Sequence, residues 1–300
     1  MLSFIDFCRE NQIEFFENEP MSRRTSFKAG GNSRYFVVCK NETELSKVLK
    51  TAKELKIDTF ILGLGSNVLF SDEGFNGAVI TLQGDFEKIE VENNIITVGA
   101  GLSLAKLANV ARDNSLTGLE FSFGIPGTVG GAVFMNAGAY GGEIKDVIKS
   151  VRAMDKQGNI KTYSYEALKL SYRNSIFHYN DEIILFAEFQ LNEGEREEIS
   201  AKMMELLNRR KDKQPLEYPS AGSTFKRPEG YFAAALIEEC GLKGCSVGGA
   251  EVSRKHSGFI INKNKATSTD ILNLVEEVKK RVKNEKGVNL ECEIIIVGGK

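Results

Sequence analysis

The sequence predicts an α+β protein of three lobes, and three observations carry that prediction. Its 300 residues exceed what a single hydrophobic core usually serves. Strand and helix patterns alternate in the first part of the chain and recur as separate α+β groups further on. Between them lies Thr117 to Gly142, with glycine at positions 118, 124, 127, 130, 131, 138, 141 and 142, far above the roughly 7% of average usage. Each glycine loses more backbone entropy on ordering than any other residue. The intervening Ile125, Pro126, Val129, Ala132, Val133, Phe134, Met135 and Ala137 are apolar or small, so the stretch reads as ordered backbone rather than a flexible linker.

Taken in order, residues 1–20 read as a short helix and a polar approach segment. Arg34 to Val38 reads as a strand. Glu42 to Lys56 then places Leu45, Val48, Leu49, Ala52 and Leu55 on one helical face, with Asn41 as cap. The strand Thr59 to Leu62 leads into a second glycine loop, Gly63 to Phe70. Strand, helix, strand, glycine loop is the order of a small α/β lobe that binds ligand at its strand ends. It is not a Rossmann dinucleotide site, because neither Gly63/Gly65 nor Gly99/Gly101 is followed by the third glycine of that motif.

Ala78 to Leu82, Glu87 to Val91 and Ile95 to Val98 are short strands, with Glu92 to Asn94 as a hairpin tip. A helix from Ser103 to Asp113 turns Leu104, Leu107, Ala108 and Ala111 inward. Val147 to Asp155, Ile160 to Tyr163 and Glu182 to Leu191 complete a second lobe. The helix from Glu195 to about Asp212 begins acidic and ends in Arg209, Arg210 and Lys211, matching the helix dipole; connector and binding face are both open readings. Beyond Pro215, a helix from Tyr231 to Cys240 capped by Gly241, the run Ser257 to Asn262, and a helix from Thr269 to Lys286 closed by Gly287 make a third lobe. A last alternating strand, Leu290 to Val297, puts Glu293 on one face with Ile295 and Val297.

Composition removes several classes. A formal charge of −2 gives no general pull toward nucleic acid or membrane. No run approaches the roughly 18 apolar residues of a spanning helix, and M-L-S-F-I-D-F-C-R-E has no leader character, so a cytoplasmic protein is expected. Five cysteines without a C-x-x-C pair, and only His178 and His256, make no metal set. Cys240 and Cys245 read as small buried hydrophobes, with a redox pair as the alternative.

Glycine loops let amide N–H groups approach an anion. Two of them suggest the two sides of one elongated ligand, a pyrophosphate-bearing cofactor, against the plainer reading of tight turns. Among single residues, Arg173 reads as a surface cation and Ser223 as a turn residue. Glu293, a carboxylate on an apolar face, is either a structural ion pair or a used group.

The ordered set L-G-L-G-S-N-V-L-F-S-D-E-G-F (Leu62 to Phe75), G-I-P-G-T-V-G-G-A-V-F-M-N-A-G-A-Y-G-G-E (Gly124 to Glu143), T-S-F-K-A-G-G (Thr25 to Gly31), S-Y-R-N-S (Ser171 to Ser175), A-G-S-T-F-K-R-P (Ala221 to Pro228) and L-E-C-E-I (Leu290 to Ile294) resembles the UDP-N-acetylenolpyruvoylglucosamine reductases (MurB), flavoenzymes of peptidoglycan precursor synthesis. The likeness covers nearly the whole chain in the right order. Only a short turn separates Tyr179 from the strand at Ile183, so the chain resembles the second type, which lacks a substrate-covering tyrosine insertion.

The resemblance implies a two-lobe flavin-binding module of the vanillyl-alcohol-oxidase type (residues 1–82, joined by 294–300, and 83–195) and a substrate lobe (196–293). It implies non-covalent FAD held by Gly63, Gly65, Ser66, Asn67, Val68, Leu69, Gly124, Ile125, Pro126, Gly127, Thr128, Gly130, Gly131, Ala132, Asn136, Ala137 and Gly138, with NADPH as reductant. It implies UDP-N-acetylglucosamine enolpyruvate as substrate, no nucleic-acid or membrane partner, and a monomer. Arg173 and Glu293 would bracket the substrate carboxylate and Ser223 would donate the proton. Tyr172, Lys213, Lys226 and Arg227 would hold substrate, Arg227 standing where some members have asparagine. The competing readings are another flavin oxidase or dehydrogenase of that superfamily and a flavin or nucleotide-sugar binding protein without turnover.

Overall fold

The computed structural model describes residues 3–299; Met1, Leu2 and Lys300, the ends of the segments predicted over 1–82 and 294–300, lie outside the described residues. The chain forms two compact units. The first comprises the chain up to Glu17, Tyr35–Gly63 and Gly77–Arg209; the second comprises Asn18–Arg34, Leu64–Asn76 and the chain from Arg210 on.

In the first unit the helix Glu42–Glu54 starts where predicted, because Asn41 accepts the Glu44 amide at 2.9 Å. Its stripe of Leu45, Val48, Leu49 and Ala52 is buried. A four-stranded sheet, most of whose residues belong to this unit, runs in the order Glu14–Pro20, Asn32–Cys39, Phe75–Leu82, Thr59–Ile61, with the last two parallel. A five-stranded antiparallel sheet is ordered Ile160–Ser164, Ile148–Met154, Ile183–Gln190, Ile95–Gly99, Ile89–Glu92. The helix Leu104–Asp113 buries the four residues expected, and Ser103 caps it by accepting the Lys106 amide. One apolar core runs through the unit, from Phe4 to Leu206.

The second unit has its own core, in which Phe27, Leu69, Phe225 and Ile260 join the stripe Ile271, Leu274, Val275, Val278 and Val282 of the helix Ser268–Lys286. Gly287, at φ +72°, ends that helix as predicted. A three-stranded antiparallel sheet, Ser246–Val247, Ala250–Val252, Ile260–Asn262, lies in the same unit. Ile295–Val297 pairs in parallel with Val68–Phe70.

Two expectations are corrected. The polar approach segment contains the strand Glu14–Pro20. It stands at the edge of its sheet, where acidic residues and a proline suit an exposed strand and erase the alternating pattern. The strand Leu290 to Val297 is not continuous either. Cys292 bridges Phe225, the 295–297 strand begins only after that, and Leu290, Ile294 and Val297 are the buried residues. Glu293 therefore does not share one regular apolar face with Ile295 and Val297.

The cysteines are free thiols. Burial pushes Cys8 up to about 11 and raises Cys39, Cys240 and Cys292, which suppresses the reactive thiolate.

Candidate active site

The first unit holds the glycine-rich stretch. Within it Val129–Phe134 forms a short helix whose N-cap, Thr128, accepts the Gly131 amide at 3.3 Å. Val129 and Gly130 spend their amides on Leu102 and Ala100, at 2.8 and 2.9 Å, so the helix start is sewn to the preceding segment. Gly63 approaches the same point: a Cβ there would lie 2.5 Å from Thr128 Oγ1. Glycine is required for that approach, not merely tolerated.

Asn136 is the hub of the stretch. It is fully buried at φ +40°. Its Nδ2 donates to Glu143 Oε2 at 2.8 Å and to the Ser171 carbonyl at 3.0 Å, while its Oδ1 accepts the Lys145 amide at 2.9 Å. Ser171 pairs with Asn174 through two backbone bonds of 3.1 Å, leaving Tyr172 and Arg173 at the tip of the turn. Arg173 sits at φ +54°, donates from Nη2 to the Gly138 carbonyl at 3.3 Å, and lies 5.1 Å from the centre of the exposed Tyr172 ring. The predicted arginine thus stands on a left-handed turn anchored to the glycine stretch.

In the second unit the loop from Leu64 wraps closely on its neighbours. A Cβ on Gly65, which lies at φ +62°, would meet the Arg24 carbonyl at 2.4 Å, and the Gly65 carbonyl accepts the Ser26 amide at 3.1 Å. Asn67 donates from Nδ2 to the Glu293 carbonyl at 3.2 Å and accepts the Ile295 amide at 3.0 Å. The loop is also pinned by Asp72, whose carboxylate accepts the Ser268 and Thr269 amides at 2.8 Å each and the Thr269 hydroxyl at 2.7 Å. These bonds hold the Asp72 carboxyl below its ordinary range against the opposing effect of burial.

Ser223 and Glu293 lie on paired segments of the second unit. Thr224, fully buried, donates its amide to the Gly258 carbonyl at 2.8 Å, accepts the Ile260 amide on Oγ1 at 3.0 Å, and accepts the Glu293 amide on its carbonyl at 2.8 Å. The Lys226 amide then donates to the Glu291 carbonyl at 2.9 Å. Ser223 is half-buried beside this plug, and the Oε2 oxygen of Glu293 is shielded from solvent. Lys213 is exposed at the end of the helix Arg196–Lys213. Lys226 lies 3.5 Å from Glu291, and Arg227 stacks 4.7 Å from the Phe232 ring centre.

Each loop, taken by itself, suits an anionic group such as a flavin diphosphate on one observation. Among the described residues, the amides of Gly63, Leu64, Gly65 and Asn67 meet no protein acceptor, nor do those of Gly124, Gly127 and Thr128. The close packing at Gly63 and Gly65 is against the protein's own Thr128 side chain and Arg24 carbonyl. Not every cofactor candidate presents a side chain: Leu69 and Ala132 lie in the cores, and the Asn136 amide is occupied by protein. Sequence reasoning passed over Thr224 and Asp72; the only signal for them is their place inside the A-G-S-T-F-K and S-N-V-L-F-S-D motifs.

Glycine loops of this kind with a matching cofactor domain define a flavin-dependent oxidoreductase: residues 33–164 match the model of an FAD binding domain. Residues 214–297 match that of the UDP-N-acetylenolpyruvoylglucosamine reductase C-terminal domain. The chain is 47% identical to the UDP-N-acetylenolpyruvoylglucosamine reductase of Syntrophomonas wolfei, over 98% of its own length and 97% of that relative. It is 52% identical to the reductase of that name from Clostridium novyi, over 95% of this chain and 92% of the relative. The crystal structure of the Thermus caldophilus reductase (MurB) is similar with a TM-score of 0.82 at 35% identity, covering 95% of this chain and 99% of that one. The chain belongs to the UDP-N-acetylenolpyruvoylglucosamine reductase family, as an FAD-dependent enzyme of peptidoglycan synthesis, and its α+β fold is the class expected from the sequence.

Proposed function

We propose that the protein reduces UDP-N-acetylglucosamine enolpyruvate to UDP-N-acetylmuramate with NADPH, as a cytoplasmic monomer organised as two flavin-binding lobes (residues 1–82 with 294–300, and 83–195) and a substrate lobe (196–293). Bound FAD, once reduced by NADPH, supplies hydride to the terminal carbon of the enolpyruvyl double bond. The chain's own residues manage the charge and the proton. As hydride adds, negative charge builds on the carboxylate end, where Arg173 offers a fixed cation and Glu293, when protonated, a hydrogen bond. The Ser223 hydroxyl gives its proton to the carbon next to the carboxylate, which completes the lactyl ether. Lys213, Lys226, Arg227 and Tyr172 hold the remainder of the substrate, and the cofactor loops hold FAD without a covalent bond.

The observation that supports this reading most is the bond from the Glu293 amide to the Thr224 carbonyl, 2.8 Å, which sets the predicted proton donor's segment beside the predicted acid. The test separates the half-reactions. Purified protein should absorb in the visible, release flavin on denaturation and bleach with NADPH. In Ser223→Ala, bleaching should stay near normal while reoxidation by the enolpyruvyl substrate slows by about 10²–10⁴. Colourless protein that takes up no FAD defeats the cofactor reading; equal slowing of both half-reactions, or of neither, defeats the proton-donor role.

A further inference from the structure

The loop Ser253 to Gly258 is more tightly built than its polar sequence, S-R-K-H-S-G, suggests. Ser253 Oγ accepts the Lys255 and His256 amides at 3.1 and 3.2 Å. Ser257 Oγ donates to the Ala234 carbonyl at 2.6 Å. His256 Nδ1 accepts the Gly258 amide at 3.2 Å, two residues on, as the side-chain oxygen of an Asx turn would. Gly258 admits the ring closely: a Cβ there would lie 3.1 Å from His256 Cε1. The Gly258 carbonyl in turn accepts the Thr224 amide at 2.8 Å.

We propose that His256 is a positioning residue for Ser223: its Nδ1 fixes Gly258, whose carbonyl fixes Thr224, the residue next to the proton donor. This rests on the reading of Ser223 given above. The ring must be neutral and protonated on Nε2 to accept at Nδ1. Burial, the largest influence, and the nearby Lys243 and Lys213 hold its pKa below the ordinary histidine value, against backbone hydrogen bonding and Glu238. Arg254 and Lys255 precede His256 on its own loop but pair with Glu251 and the Lys211 carbonyl, and Phe259 meets the ring edge-on, with ring centres 4.9 Å apart. Acid that charges the ring removes the Nδ1 acceptor and loosens Thr224.

The experiment uses the full-length flavoenzyme with NADPH and the enolpyruvyl substrate, Ser223→Ala serving as reference. His256→Ala should keep flavin content and reduction by NADPH, with reoxidation slower by roughly 10–100-fold, the scale of a small misplacement at a reacting centre, and KM little changed. His256→Asn, whose Oδ1 can accept the same amide, should recover most of that rate. Wild type should lose reoxidation rate in acid while His256→Asn does not. Because the chain has two histidines, nitrogen-15 labelling also reads His256 directly, should alanine not fold; an unprotonated Nδ1 is expected. A wild-type rate in His256→Ala, equal slowing in alanine and asparagine, the same acid loss in wild type and asparagine, or a proton on Nδ1 overturns the positioning role. A wild-type rate in Ser223→Ala overturns the proton-donor reading itself, which the histidine variants alone would not.

Discussion

The Arg173 turn and the Ser223 segment carry the two groups assigned to the developing charge and the proton, and they are held by opposite means. Arg173 hangs on a left-handed turn whose base is secured by two buried side chains, Asn136 through the Ser171 carbonyl and Ser175 through the Phe134 carbonyl at 2.7 Å. Ser223 adjoins Thr224, whose backbone bonds two other segments at once, through Gly258 and Glu293. Each side-chain bond is lost with one substitution. A backbone brace outlasts substitution of Thr224 itself and yields only where the residue that fixes its partner is lost, as proposed for His256, so the first should be the more fragile half of the site.

The largest effect that tests this division falls on the reacting groups themselves. Arg173→Ala and Glu293→Gln should each bind flavin and accept electrons from NADPH normally, yet lose roughly 10²–10³ in substrate reduction, the usual cost of removing one preorganised group at a developing charge. Transient kinetics of the reoxidation step, with flavin content as control, measure it. Unchanged turnover in both variants removes the carboxylate clamp and leaves the contrast without functional meaning.

Next come the braces. Asn136→Ala strips the acceptor from the Lys145 amide and one donor each from the Ser171 carbonyl, which keeps the Asn174 amide, and from Glu143, which keeps Lys145 Nζ, and sets alanine at φ +40°. Leaving the Lys145 amide unmet costs about 1–3 kcal/mol, and left-handed backbone adds about 1–2 kcal/mol. Thr224→Val keeps both backbone bonds and forfeits only the acceptor of the Ile260 amide, about 1–3 kcal/mol. Denaturant unfolding should therefore rank Asn136→Ala below Thr224→Val, and only the asparagine variant should also slow reoxidation. Comparable loss of rate in both variants would show that the braces do not differ in kind.

The sequence showed this site unevenly. Helix starts and ends were legible because they depend on local chemistry, as at Asn41 and Gly287. Gly63 and Gly65 were legible because close approach leaves only glycine, whereas a Cβ at Gly131 would make only ordinary contact with Thr128. Glu293 was picked out on the wrong ground: its supposed apolar strand face ends at a bridge between Cys292 and Phe225, a partner 67 positions away that no periodicity reports. The strand Glu14–Pro20 was hidden because an exposed edge needs no apolar alternation. Asn136 drew notice only as part of a glycine-rich motif, since its three partners become neighbours through folding alone.

The smallest expected effect tests whether a side-chain brace can be charged as well as buried. Asp72 ties the loop that follows Gly65 to the start of the helix Ser268–Lys286, accepting two amides and a hydroxyl, and an anion there also meets the positive end of the helix dipole. Asp72→Asn keeps one acceptor oxygen but loses the charge and the second acceptor, which at a helix start is worth about 1 kcal/mol. The sign with pH follows from the lowered pKa of Asp72. A carboxyl that is more acidic folded than unfolded contributes fully above its unfolded value, and the contribution fades as pH falls through the folded one. The gap in stability between wild type and Asp72→Asn should thus be full at neutral pH and close in strong acid, while flavin reduction by NADPH stays unchanged. Urea midpoints at several pH values measure it, and a gap that is constant with pH, or wider in acid, would show that the carboxylate charge has no part in holding the loop.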